Sequence, residues 1–442
     1  MLSGKLKLKS LELFFLALVF YLPFQIALNL AAGFDLLSGR LLIPLLFSFW
    51  WLKLKPAKKF SWLENEAVLA LTLFFLINLI SVFWAQDHFW AGRKLLVFAT
   101  IFPLFILAKE IASFKNQPVI LKVMTLGAII SSLIAFFQFF SQFFWDVEKF
   151  SSFWAGKILP WFSGQTFGAL VAENPSWLVQ IQDRTFLRAF GLFPDPHMLA
   201  FFLGLVSFFS LAAFLFFKNR RFLWFLAFGF FSLILAFTFS RGGYLGFLAG
   251  FLAVIFFSWP KIAEEDGSFL RRGAAFFLLL ALIFGGAALT RFYSSFDPNE
   301  GSNSGRLLIW QESFDHFLKN PFLGVGLGNY PLSLNPYADY RSPVTSHNLY
   351  LDILAETGIF GLLAWLWFIF ASLKAAFLKI KTAQKENWVV GFGVLGALVY
   401  FSVHSFFETA IFNPTILAFL MIVCGLAAAK NNKSIDVTRG QG

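Results

Sequence analysis

The chain is short of charge and of cysteine. Asp, Glu, Lys and Arg make up 13% of its 442 residues, and Cys424 is its one cysteine. A single thiol excludes an intramolecular disulfide and leaves the redox compartment open. The scarcity of charge excludes more. Hydrophobic residues reach 58%, with 66 Phe among them, and no water-soluble domain of this size needs so much apolar surface. Two further features are missing: a small-residue cleavage site after the first apolar run, and any similarity between the two halves of the chain.

What is present is a series of apolar runs of about 18 residues or more, each long enough to cross a bilayer as a helix. Backbone groups in lipid must be satisfied within the segment, which favours helices over open sheets. Twelve spans are predicted, at 11–32, 36–52, 66–86, 94–112, 119–144, 197–217, 221–240, 242–259, 273–290, 353–378, 388–407 and 412–429. The second contains Arg40, and the stretch Ser240–Gly243 either joins two spans or breaks one. The basic start (Lys5, Lys7, Lys9) resembles a signal peptide, but the run behind it is too long, so a retained first helix is expected.

The expected fold class is therefore an all-α polytopic membrane protein with about 12 transmembrane helices and two long extracytoplasmic loops carrying short interfacial helices. Five regions follow: helices 1–5 over 1–144, the first long loop over 145–196, helices 6–9 over 197–290, the second long loop over 291–352, and helices 10–12 with a cytoplasmic tail over 353–442.

A net charge of +11 suggests nucleic acid until its distribution is read. Most basic residues fall in short segments on one side, such as Lys53–Lys59, Lys218–Arg221 and Lys374–Lys385. Positive residues favour the cytoplasmic side. The expected location is a bacterial inner membrane with both termini cytoplasmic, and the bilayer rather than nucleic acid is the partner.

Long loops with structure of their own are usually functional. The first is rich in Trp and Phe, among them Trp145, Trp154, Trp161 and Trp177. It reads either as aromatic anchoring at the headgroup level or as a wall for a lipid-linked substrate. The second contains NSGRLLIWQESFDHFLKNPFLGVGLGNY. Ser304 can cap a helix that Asn320-Pro321 ends, with Leu307, Trp310, Phe314, Phe317 and Leu318 on one face. Arg306 then falls in the first turn, where the dipole disfavours a cation unless an anion binds there too. GVGLGNY lacks the Lys-Ser/Thr of a nucleotide loop and reads as a chain of tight turns.

Arg241 in TFSRGGYLG is costly at membrane depth and should have an anionic partner or reach the headgroups. Arg93 stands at the outer end of the fourth span. The stretch TSHNLYLDILAETGIFGLL (345–363) gathers His347, Asn348, Asp352 and Glu356 at the head of the tenth span. His347 is read either as a helix cap with Ser346 and Asn348 or as a catalytic base.

Five stretches, in this order, carry a resemblance: RAFGLFPDPHMLAFFLGL (188–205), TFSRGGYLG (238–246), GRLLIW (305–310), NPFLGVGLGNY (320–330) and SHNLYLDILAETGIFG (346–361). Together they resemble the O-antigen ligase and O-antigen polymerase superfamily. The ligase pattern is His, a small polar residue, nine residues, Gly, two residues, Gly. It fits His347, Asn348, Gly358 and Gly361.

The resemblance implies a membrane glycosyltransferase that needs no metal or other cofactor. Its donor would be a glycan on undecaprenyl diphosphate, and its acceptor lipid A–core or another surface glycan. A polymerase joining lipid-linked repeats is the alternative; ten residues after Arg306 comes Phe317, not the glycine described for some polymerases. A lipid-linked glycan transporter is a further alternative, although such folds commonly show internal repeats. On this reading Arg241 and Arg306 stabilise the leaving diphosphate, and His347 takes the acceptor's proton in a one-step inverting displacement. Arg93, Asn348, Asp352 and Glu356 support substrate or base. His404 and Glu408 with His347 would be a metal site only with tighter ligand spacing, and none is expected.

Overall fold

The computed structural model describes residues 2–31, 34–53, 64–112, 116–166, 168, 176–181, 184–263, 301–339, 345–382 and 384–430. The predicted span 273–290 and the start of the second long loop lie outside these residues. The protein is an all-α bundle of the multi-pass membrane type. Among the described residues, six helices are long and apolar enough to cross a bilayer: Glu66–Trp84, Gln117–Ser141, Pro196–Phe216, Arg241–Ile262, Leu349–Ile380 and Lys385–His404. Three shorter apolar helices, Ser10–Phe24, Arg221–Phe237 and Pro414–Ala428, accompany them.

The elements that position the site are named in chain order. Helix α1 is Gly39–Lys53, which contains Arg40, α2 is Glu66–Ser81, α3 is His88–Ile101 and α4 is Pro103–Ile111. Then come α5 (Gln117–Ser141), α6 (Pro196–Phe216), α7 (Arg221–Phe237) and α8 (Arg241–Ala263). The second loop carries α9 (Gly301–Lys319) and α10 (Tyr330–Leu334), and the last helices are α11 (Leu349–Ile380), α12 (Lys385–His404) and α13 (Pro414–Ala428).

Helix α6 is the central column. Its apolar stretch is wholly buried, packed chiefly against α12 and also against α7 and α8. Asp195 caps it by accepting from the N–H groups of His197 and Met198, and Pro196 takes a first-turn position where no N–H is needed.

Among the described residues, two antiparallel hairpins interrupt the helical plan. Ala27–Ala31 pairs with Phe34–Leu37, and Leu178–Ile181 with Arg184–Leu187. The first cuts into the predicted span 11–32. There the chain leaves its helix at Tyr21, makes a short turn containing Pro23, and becomes extended at Gln25. Proline supplies no N–H and stiffens this exit. The predicted span 94–112 is two helices, α3 and α4, with Pro103 opening the second. The break predicted near Ser240–Gly243 falls at Thr238–Ser240, between α7 and α8, with Phe239 in a left-handed conformation (φ 49°).

Helix α11 is broken at Gly358 (φ 65°, ψ −166°). The N–H of Ile359, whose helical partner would be Ala355, donates instead to Pro321 O at 2.9 Å. The orphaned carbonyls of Ala355 and Glu356 accept from Val325 and Gly326, both at 2.9 Å. The glycine-rich segment is thus a chain of turns that fills a helix break. Gly324 (φ 67°) and Gly358 press backbone to backbone, and a Cβ on either would collide with main-chain atoms of the other segment.

Candidate functional site

Residues 345–352 build a rigid platform. Asn348 caps α11, its side-chain oxygen accepting from Tyr350 N (3.0 Å) and Leu351 N (3.3 Å). Ser346 Oγ accepts from Asn348 N at 3.1 Å, and Asp352 accepts from Ser346 N at 2.9 Å. Leu349 N donates to Ser405 O, which ties the platform to the end of α12. Between these anchors His347 is held at φ 49°, an uncommon conformation that persists when flanking contacts over-determine it. The cap belongs to Asn348, and the imidazole is left to turn outward.

His347 Nδ1 lies 3.1 Å from both carboxylate oxygens of Glu408, in the turn between α12 and α13. A carboxylate only accepts, so Nδ1 carries the proton, and in the neutral ring Nε2 is the acceptor. Nε2 meets no partner among the described residues, and 43% of the side chain is exposed. The hydrogen bond and charge of Glu408 raise the His347 pKa above its ordinary value against the opposing effects of burial and Arg306. Burial pushes the Glu408 carboxyl up, but His347, His197 and Arg306 together outweigh it and hold the group well below the usual carboxylate range.

Arg306 is brought to the same corner by α9. One turn further on, Trp310 Nε1 donates to Ser346 O at 3.0 Å, and two turns on Ser313 Oγ meets Tyr330 Oη at 2.5 Å. These three share a face at helical spacing, and the Arg306 charge acts on His347, Glu408 and His404. Two expectations change. The chain is already helical at Gly301, so Arg306 does not stand in the first turn. Trp310 faces the protein, while Leu307, Phe314 and Leu318 form the exposed apolar stripe.

Arg241 opens α8 and is buried. Its neighbour Gly242 abuts His404 and Phe407, so Arg241 enters beside the turn that holds Glu408. Behind it runs a directional hydrogen-bond chain. Arg188, a pure donor, is 3.4 Å from His197 Nε2; His197 Nδ1 is 3.0 Å from Ser240 Oγ. Ser240 Oγ is 3.1 Å from His404 Nε2, His404 Nδ1 is 3.0 Å from Tyr400 Oη, and Tyr400 donates to Ala200 O. Starting from the arginine, one assignment of protons satisfies every link. Both nitrogens of His404 are occupied by hydroxyls.

A cavity of about 470 Å³ adjoins this corner. Its walls include Arg40, Arg93, Lys94, Asp195, Asp352, Glu356, Tyr330 and Thr409, and the first long loop contributes Phe162, Ser163 and Thr166. His347, Arg241 and Arg306 do not line it. The partition is made by Ser346, Asp352 and Thr409, the last donating its hydroxyl to Asp352 and following Glu408 directly. Arg93 and Asp352 therefore face the cavity. Glu356 was expected to orient an arginine or the base. Instead it pairs with Lys94 at 2.5 Å, and the same ammonium sits 3.5 Å over the Phe412 ring.

Residues 225–366 match the family model described as O-antigen ligase. This match supports the resemblance to the O-antigen ligase superfamily. The matched O-antigen ligase segment runs from α7 into α11 and contains Arg241, Arg306, His347, Asn348, Asp352 and Glu356. Glu408, Lys94 and Arg93, which complete the corner and the cavity, lie outside it. Among curated proteins none matches the chain.

Sequence reasoning had Glu408 only as a possible metal ligand and passed over Lys94 and Asp195. An acid just beyond an apolar span is a signal in itself, since an ionised group there needs a partner. Which partner it takes depends on the fold, because 61 residues separate Glu408 from His347.

Proposed function

We propose that the protein is a membrane glycosyltransferase of the O-antigen ligase type, with twelve spans, both termini cytoplasmic and its site on the outer face of a bacterial inner membrane. It moves a glycan from undecaprenyl diphosphate to lipid A–core or another surface acceptor. The observation that carries this reading is the His347–Glu408 pair, with Nδ1 clamped and Nε2 open beside the Arg306 charge.

In the reaction an acceptor hydroxyl attacks the anomeric carbon and gives its proton to Nε2 of His347. The anomeric carbon–oxygen bond to phosphate breaks, and undecaprenyl diphosphate leaves with the electron pair. Glu408 fixes the ring and stabilises the imidazolium that forms, as an orienting carboxylate does in related acid–base pairs. Arg306 and Arg241 stand as fixed cations for the departing diphosphate. One displacement inverts the anomeric centre, and every charged role falls on a side chain rather than a metal.

The second reading, a polymerase, uses the same corner with a lipid-linked repeat as acceptor. Product analysis in vesicles separates the readings. A glycan appearing on lipid A–core supports the ligase, and lengthened undecaprenyl-linked chains the polymerase. Movement of intact lipid-linked glycan across the bilayer without a new glycosidic bond would favour a transporter instead.

A further inference from the structure

We infer that the cavity beside His347 is a carbohydrate subsite, and that Asp195 accepts a sugar hydroxyl there. The inference rests on the transferase reading and adds where the glycan, as distinct from the diphosphate, is held.

Charge comes first. Carboxylates slightly outnumber cations on the cavity wall, and Lys94 is already matched to Glu356. A diphosphate needs a clear excess of guanidinium or ammonium groups, and Arg241 and Arg306 lie outside this cavity. Much of the remaining wall is apolar, with aromatic faces from Trp90, Phe162, Phe193, Tyr330 and Phe412. Apolar and aromatic faces with a few fixed polar groups suit a neutral, hydroxyl-bearing ring.

Asp195 supplies an uncommitted acceptor. One carboxylate oxygen caps α6 through His197 N (2.8 Å) and Met198 N (3.0 Å). The other oxygen accepts from no described residue. Burial, and then the charge of Glu408, push its carboxyl up to about 6, against the N–H bonds it receives. A carboxylate in that setting is stabilised by an incoming hydroxyl donor, and a sugar offers several.

Asp195→Asn is the informative variant because Asn caps helices as well as Asp does, so α6 keeps its start while the charge is removed. Asp195→Ser is a second capping variant with a shorter reach. Binding is measured on the full chain in micelles with three probes: undecaprenyl diphosphate, undecaprenyl-diphosphate-linked N-acetylglucosamine, and deacylated lipid A–core oligosaccharide. In the wild type, the sugar should add affinity over the bare diphosphate, or the soluble oligosaccharide should bind. Both variants should lose about ten-fold on that sugar-dependent affinity, with undecaprenyl diphosphate binding unchanged and melting temperature close to wild type. A loss confined to the linked sugar assigns the subsite to the donor, and one confined to the soluble glycan assigns it to the acceptor. The inference is overturned if neither sugar probe shows sugar-dependent binding, if both variants match wild type, or if they lose the bare diphosphate. Because these are binding readouts, they stand apart from turnover: wild-type transfer that is abolished in His347→Ala would leave the transferase reading intact even if Asp195 failed.

Discussion

His347 Nδ1 is 3.1 Å from each carboxylate oxygen of Glu408, so one ring nitrogen is occupied and the other is presented. Removing the charge while keeping the shape tests what this pair does. In Glu408→Gln the ring keeps a hydrogen-bonding neighbour but loses the carboxylate that raises its pKa. Transfer by the wild type should rise with pH through a midpoint above 6.5, because an imidazolium cannot accept a proton. In the Gln variant the rate should fall by about ten-fold or more, and the midpoint should move to lower pH. An unmoved midpoint would show that another group governs the profile.

The same pair makes a stability prediction with a definite sign. The folded His347 pKa is raised, so its contribution is complete below 6.5 and is lost as pH rises through the folded value. The folded Glu408 pKa is lowered, so its contribution is complete above 4.5 and is lost as pH falls through the folded value. Melting temperatures of wild type and Glu408→Gln should therefore differ most from about pH 4.5 to 6.5 and draw closer at higher pH, as the His347 contribution is lost. A difference that grows above neutral pH would contradict the pairing.

Gly358→Ala tests the helix break. The residue sits at φ 65° against the Phe322 carbonyl, so the variant should lose about 1–3 kcal/mol from backbone strain alone and melt lower. Gly92→Ala, in α3 with nothing within 4 Å of the added methyl, should be neutral or slightly stabilising. Thermal unfolding of both in the same detergent checks the contrast.

Much of this is legible in the sequence. Apolar length reported the bundle, because crossing lipid requires it locally. His347, Asn348, Asp352 and Glu356 were legible as a group because polar residues at the head of an apolar run are conspicuous. The glycines of GVGLGNY were read correctly as turns, but their purpose was hidden, since the break they fill lies in α11. Pairings across long separations were not legible: Lys94 with Glu356 and His347 with Glu408 depend on which helices pack together. The hairpin at Ala27–Leu37 was missed because its strands are as apolar as the helices around them.

Lys94 and Glu356 give a test of that packing. The ion pair is largely buried, so Lys94→Met leaves an uncompensated carboxylate and should destabilise by about 3–5 kcal/mol. Adding Glu356→Gln should recover most of the loss. A double-mutant cycle of unfolding free energies reads the coupling, and strictly additive effects would mean that the pair contributes no coupling.

Arg241→Lys separates charge from geometry. The variant keeps a cation but loses the planar, two-pronged donor. Transfer should fall strongly while insertion and melting temperature hold. Equal activity would make Arg241 an anchoring residue.

The central claim is that His347 is the base of a glycosyl transfer, and His347→Ala in a reconstituted assay tests it most directly. With undecaprenyl-diphosphate-linked glycan and its acceptor, the account predicts a loss of about 10²–10⁴ in transfer rate, with undecaprenyl diphosphate binding retained because the arginines hold the diphosphate. Wild-type transfer rates in His347→Ala would contradict it.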